Sequence, residues 1–212
     1  MTSQDFSQEF DILYNNISSN QAPGLTEYEK SVFLTQAQEA LILDLYKGIA
    51  GDSFETTEEV TRYLSSLVTT YVETKLTSVE FINSREIKIT LPSDVWFITF
   101  QAGSVIVNDR SRDVIIVPVT QDSLYKTLEN PFRGPNKNRV LALSEEEYIT
   151  LYTKYDLTKY YMKYLKRPNP IVLEDSELPI NEVDEFSVDL PESLHRQILL
   201  RAVQLAKAVW VS

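Results

Sequence analysis

The apolar residues of this chain of 212 residues change their spacing between Tyr71 and Ile87, from a helical period of 3.6 to a strand period of 2. That switch constrains the architecture more than any single motif, because a surface patterned for one period cannot be buried by the other. Before it, a capping box at Thr26 and Glu29 opens a helix with Tyr28, Val32, Phe33, Ala37, Ala40, Leu41 and Leu45 on its apolar face, and Gly48 closes it. A second box, Thr56 with Glu59, opens another in which Val60, Leu64, Leu67, Val68 and Tyr71 fall at i, i+4, i+7, i+8 and i+11. Joined by a Gly- and Asp-containing turn, the two predict an antiparallel helical hairpin over 25–76.

Beyond the switch, Ile87, Ile89 and Leu91 alternate with polar neighbours, and Val105–Val107 is separated from Val114–Val117 by six polar residues. The pattern predicts three or four antiparallel strands with a hairpin at 108–113. Between them, Val95-Trp96-Phe97-Ile98-Thr99-Phe100 carries no charge and strong β propensity, an aggregation hazard if left open. It is expected to be a central strand or an interface strand. A short helix over 121–129 should end at Asn130-Pro131, followed by a loop to Arg139 dense in turn formers and cations. The stretch 148–165 holds six of the twelve tyrosines, and Tyr160, Met162 and Tyr164 alternate with Lys159, Tyr161 and Lys163, which favours strand.

A third capping box, Asp189 with Glu192 and with Pro191 in the first turn, opens a final helix to about residue 210. Its apolar residues cover most of its circumference, so one side should meet the core and another a second surface. The first 24 residues are polar but carry Phe6, Phe10, Ile12, Leu13, Tyr14 and Ile17, too apolar for a disordered tail. The expected organisation is α+β: an arm over 1–24 that packs on something, then a single domain over 25–212. That domain comprises the helical hairpin, a mostly β region over 86–173, an acidic linker over 174–189 and the C-terminal amphipathic helix over 190–210.

Composition narrows function mainly by exclusion. With no cysteine and one histidine, His195, the chain has no thiolate nucleophile, no CxxC motif and no site needing two imidazoles. The five glycines form neither GxGxxG nor GxxxxGK, and no GxSxG elbow accompanies His195. Glu86-Ile87-Lys88 imitates the ExK half of a metal-dependent nuclease site, but alternation gives both charges the solvent face of a strand, and no carboxylates cluster beside them. The expectation is a protein with no catalytic residue, no cofactor and no metal. The N-terminus lacks the pattern of a signal peptide, and no stretch approaches the roughly 20 apolar residues of a membrane span, so a soluble product made in a cytoplasm is expected.

The net charge of -11 is unevenly distributed. Residues 120–167 are net basic, whereas 168–194 hold eight acids and no base. The basic middle (Arg133, Lys137, Arg139, Lys154, Lys159, Lys163, Lys166, Arg167) is interleaved with Tyr152, Tyr155, Tyr160, Tyr161 and Tyr164. Three readings fit it: a protein interface, an ordinary β face with snorkelling lysines, and a nucleic-acid surface with rings for bases. The first ranks highest, since the total charge opposes general nucleic-acid binding.

Taken together, several segments resemble one family. They are Phe10-Asp11-Ile12-Leu13-Tyr14-Asn15-Asn16-Ile17, the run Leu25 to Glu39, the loop Asn130 to Arg139 with Val140-Leu141, Tyr164 to Ile171 through Lys166-Arg167-Pro168-Asn169-Pro170, and Leu190-Pro191-Glu192 with Leu194-His195. In them the chain resembles the ring proteins of the head-to-tail connector in crAss-like tailed phages of gut bacteria, over most of its length. The resemblance implies a non-enzymatic structural subunit of the virion, assembled in the host cytoplasm. It implies a homo-oligomeric ring, a dodecamer to match the portal, stacked against the portal and neighbouring rings around a channel through which DNA passes without specific binding. The alternative is a DNA-binding or packaging accessory protein that uses the basic middle. A closed ring repeats one heterologous contact, so each subunit needs two different adhesive faces. The candidates are Val95, Trp96 and Phe97 on the uncharged strand, Phe132, Arg133, Lys137 and Arg139 in the cationic loop, and Ile198, Leu199, Val203 and Trp210 on the last helix.

Overall fold

The computed structural model describes residues 1–17, 24–48, 54–81, 84–173 and 188–211. In chain order the helices are α1 (Ser3–Ile17), α2 (Glu27–Tyr46), α3 (Phe54–Leu64), α4 (Gln121–Leu128) and α5 (Glu192–Val211). The strands are β1 (Val68–Glu73), β2 (Ser78–Phe81), β3 (Ser84–Thr90), β4 (Val95–Val107), β5 (Arg110–Pro118), β6 (Arg139–Ser144), β7 (Tyr148–Thr153) and β8 (Asp156–Lys166). The class is α+β, as the change of period predicts. The chain forms two compact units, one of residues 1–67 with 168–212 and one of residues 68–167.

The first unit is helical. The apolar N-terminal segment is a helix of this unit: Thr2 and Asp5 exchange hydrogen bonds across its first turn, and Phe6, Phe10 and Tyr14, four residues apart, are buried. α1 packs on α5 and α2, which supplies the surface that its aromatics require. The box at Thr26 and Glu29 forms as expected, and α2 ends with Gly48 at φ 66°, a left-handed position that suits glycine.

The buried face of α2 differs from the expected one. It is Lys30, Ser31, Leu34, Ala37, Gln38, Leu41 and Ile42, while Tyr28 is 44% exposed. The polar members of this face are buried because they have partners. Ser31 Oγ accepts from the Leu173 amide and Thr35 Oγ1 from the Ile171 amide, both at 3.0 Å, and the Gln38 side-chain amide donates to the Asn169 carbonyl at 2.9 Å. Side chains of α2 thus take the place of a neighbouring strand for the extended segment 169–173, and Ile171 and Leu173 are buried.

α3 stops at Leu64 and runs through a 3₁₀ turn over Ser65–Leu67, so Val68 and Tyr71, expected on its apolar face, begin the sheet instead. The sequence Val-Thr-Thr-Tyr-Val is β-branched and aromatic, and the β8 ladder rewards it more than another helical turn would. The Thr56 side chain of the second capping box and residues 174–187 of the acidic linker lie outside the described residues.

The second unit is one eight-stranded sheet in the order β1-β8-β4-β5-β6-β7-β3-β2. It is mixed where a purely antiparallel region was expected, since β5 and β6 run parallel. The segment from Val119 through α4 to Asn138 is long enough to carry the chain back to the starting end of β5, as a parallel pair requires. The hairpin at 108–113 contracts to a two-residue turn. Asn108 and Asp109 take φ of 50° and 58°, which allows Val107 to pair directly with Arg110. Asn and Asp tolerate this left-handed geometry, and it matches the twist of the flanking strands.

One face of the sheet carries the main core: Ile87, Ile89, Val105, Val114, Ile116, Val140, Ala142, Ile149, Leu151, Leu157, Tyr160, Met162 and Tyr164. On the opposite face, Leu124 of α4 packs with Leu141, Leu143 and Tyr152, covering β6 and β7. β4 is a central strand. It spreads its uncharged run over both faces through register shifts at Val95/Phe97 and Ile98/Phe100, so Val95 and Ile98 reach the core while Phe100 is left 52% exposed.

Candidate assembly surfaces

No constellation for catalysis forms among the described residues. His195 is buried against the Phe6 ring, with centroids 5.3 Å apart, and its Nε2 lies 3.1 Å from the Leu190 carbonyl. Burial lowers its pKa, and the bond to Leu190 opposes that shift. The ring is a packed core group. Glu86 and Lys88 lie on the sheet face opposite Ile87 and Ile89, 3.8 Å apart, with the Lys88 ammonium over the Tyr148 ring. Among the described residues no three acidic or histidine side chains converge on a metal-sized site. None of their helices is long and apolar enough to cross a membrane.

The exposed apolar groups are arranged by the sheet. On the face opposite the main core, Val72, Tyr161, Ala102 and Ile115 are cross-strand neighbours in one row over β1, β8, β4 and β5. Val72 is 44% and Ile115 59% exposed. Phe100 stands edge-on to Tyr161, with centroids 6.0 Å apart and planes at 71°. Lys159 and Lys163 flank the row on β8, both exposed. Asp113 stands beside Ile115 on the same face, so the apolar centre has a polar rim of both charges, the anatomy of a protein contact.

The same alternation divides the tyrosine-rich middle. Tyr160, Tyr164 and Tyr152 are buried, and Tyr155 packs against the main core. Burial pushes the Tyr152 hydroxyl up to about 12, with Glu86 and Glu145 adding to the shift. Among the five named aromatics only Tyr161 is left on the open part of the outer face with Lys159 and Lys163, since Tyr152, on the same face, is covered by α4. The reading that used these rings as a stacking platform for bases therefore loses most of its rings.

The cationic loop is built on its own hydrogen bonds. Asn130 Oδ1 accepts from the amides of Phe132 and Arg133 at 2.9 and 3.1 Å, and the Asn130 carbonyl accepts from Gly134 at 2.7 Å. Arg139 donates to the carbonyls of Phe132 and Arg133, both at 3.2 Å, and Asn138 accepts from Arg112 at 3.0 Å. Gly134 is buried under this turn, where a Cβ would lie 2.8 Å from the Asn130 carbonyl oxygen and 3.0 Å from that of Leu128. Phe132 is held 88% exposed at the tip, with Arg133 and Lys137 exposed around it.

The remaining candidates have different fates. Val95, Trp96 and Phe97 are half-buried, and the rings of Trp96 and Phe97 tilt together at 4.9 Å. Ile198, Leu199 and Val203 are buried and offer no surface, because the seam of α5 that meets α1 and α2 takes them. The exposed apolar groups of α5 are Leu200 and Val209, and the Trp210 side chain lies outside the described residues. Sequence reasoning missed Val72, Phe100 and Ile115. Ile115 stands out of phase with Val114 and Ile116, and Val72 with Tyr71, whereas Phe100 is in step with Ile98 and is turned outward only by the register shift between them, so parity has meaning only once strand bounds and bulges are known.

Comparison with known proteins gives a consistent result along the whole chain. The family described as phage tail ring protein 3/4 matches residues 1–210. Ring protein 3 of Bacteroides phage crAss001 is 43% identical, over 97% of this chain and 95% of that protein. Ring protein 4/5 of the same phage is 31% identical, over 99% of this chain and 94% of that protein.

Proposed function

This chain belongs to the phage tail ring protein 3/4 family, and from that membership we propose that it is a non-enzymatic subunit of a head-to-tail connector ring, lining part of the genome channel below the portal. The observation that carries the reading is the row Val72, Tyr161, Ala102 and Ile115 with Phe100, an apolar face in the middle of a sheet with no described element over it. A soluble chain that leaves such a row open is built to have it covered. The ring is a dodecamer that matches the portal, with the portal and the adjoining rings as its partners. Identity of 43% to ring protein 3 against 31% to ring protein 4/5 favours the ring 3 position in the stack. The acidic balance of the chain suits a channel wall along which DNA slides, because cationic walls would retain phosphates.

Mass spectrometry of purified virions, quantified against the portal protein, tests the placement. One copy per portal subunit is the expected result. Absence from the particle, or a ratio far from one, overturns it. Replacing Phe100 and Ile115 by Lys tests the row, and should abolish ring-sized species in native mass spectrometry while the sheet still folds.

A further inference from the structure

Two features at opposite ends of β6 are complementary in charge. The loop at its start carries Phe132, Arg133 and Lys137, all exposed, and no acid lies between Asn130 and Arg139. Among the described residues neither Arg133 nor Lys137 is in an ion pair. At the other end a hollow of about 380 Å³ is lined by Thr90, Leu91, Pro92, Ser93, Val95, Glu146 and Glu147. Leu91, Pro92 and Val95 supply its apolar lining, and Glu146 and Glu147 are exposed carboxylates with no cation paired to them among the described residues.

We infer that Phe132 of one copy seats in the 90–95 and 146–147 hollow of the next copy, with Arg133 and Lys137 against Glu146 and Glu147. The inference rests on the ring reading above and deepens it by naming the repeating contact. Three observations carry it. β6 has six residues, so knob and hollow stand roughly 17 Å apart on one rigid ladder and cannot meet within one subunit. A contact between different patches of identical chains is heterologous, the kind that closes into a ring. The loop is also organised in advance: the amides of Phe132, Arg133 and Gly134 and the carbonyls of Phe132 and Arg133 are bonded within it, so little ordering entropy is lost when the phenyl ring docks. A buried aromatic anchor inside a charged rim is the arrangement that concentrates binding energy.

Sedimentation velocity and native mass spectrometry of the full chain over a concentration series test this, with circular dichroism to confirm that each variant is folded. Phe132→Ala should weaken self-association at least about 30-fold. Arg133→Glu with Lys137→Glu should weaken it comparably, as should Glu146→Lys with Glu147→Lys. All four charge reversals in one chain should restore it, a rescue that a merely structural role does not produce. If the wild type assembles and these variants assemble equally well, the contact is refuted and the ring reading stands. If they lose affinity only for another ring protein, the hollow of a second copy is not the occupant's site and the inference fails. A wild-type chain that stays monomeric at every concentration, alone and with the other ring proteins, overturns the ring reading itself.

Discussion

Lys30 holds α1 to α2, and its removal has a calculable cost. Its ammonium lies 3.1 Å from Ser7 Oγ, 2.7 Å from Asp11 Oδ2 and 2.9 Å from Glu27 Oε1, and the side chain is 3% exposed. Breaking a fully buried ion pair costs about 3–5 kcal/mol, and breaking a surface pair about 0–1. Here the cation is buried while the carboxylates of Asp11 and Glu27 remain 48% and 30% exposed and can rehydrate. Lys30→Met, which keeps most of the packed stem, should therefore cost about 2 kcal/mol. Urea denaturation followed by helical circular dichroism measures it. Asp11→Asn in the Lys30→Met background should then cost much less than in the wild type, because the pair is already gone. Burial pushes the Lys30 pKa down, but the bonds to Asp11 and Glu27 outweigh it and the net shift is upward from 10.5. A raised value in the folded state means that the stabilisation is complete below about pH 10.5 and is lost as pH rises through the folded value. The gap between wild type and Lys30→Met should accordingly narrow above that pH. A Lys30→Met chain as stable as the wild type, or strictly additive costs in the double mutant, would refute the assignment.

Two other substitutions test separate points. Gly134→Ala forces a methyl group against the carbonyl oxygens of Asn130, Leu128 and Thr127, so it should destabilise the sheet unit by about 1–3 kcal/mol in a thermal melt and impair assembly alongside Phe132→Ala. His195→Phe concerns acid sensitivity. Burial depresses the histidine pKa below 6.5 in the folded state, so its contribution is present above that pH and lost as pH falls through the folded value. The variant should lose less stability than the wild type between about pH 7 and 5, and parallel curves would contradict the buried, neutral assignment.

The class of the molecule and much of its anatomy follow from local residue chemistry. Local chemistry is enough to place a capping box at Thr26 and Glu29, a left-handed stop at Gly48, strands over 87–90 and 114–117, and a short helix ending before Asn130. Which side of each element is covered depends instead on long-range packing. Lys30, Ser31 and Gln38 are polar by composition and buried in fact, because residues more than a hundred positions away, or on another helix, bond to them, in the case of Gln38 through its amide nitrogen. Val68 and Tyr71 are helical by spacing and join a sheet, because β8 offers them a ladder. Ile198, Leu199 and Val203 looked adhesive and are buried, whereas Val72, Phe100 and Ile115 stayed open. Periodicity reports that a face is apolar, but burial is a property of pairs of surfaces, and the second surface is supplied by distant parts of the chain or by another molecule.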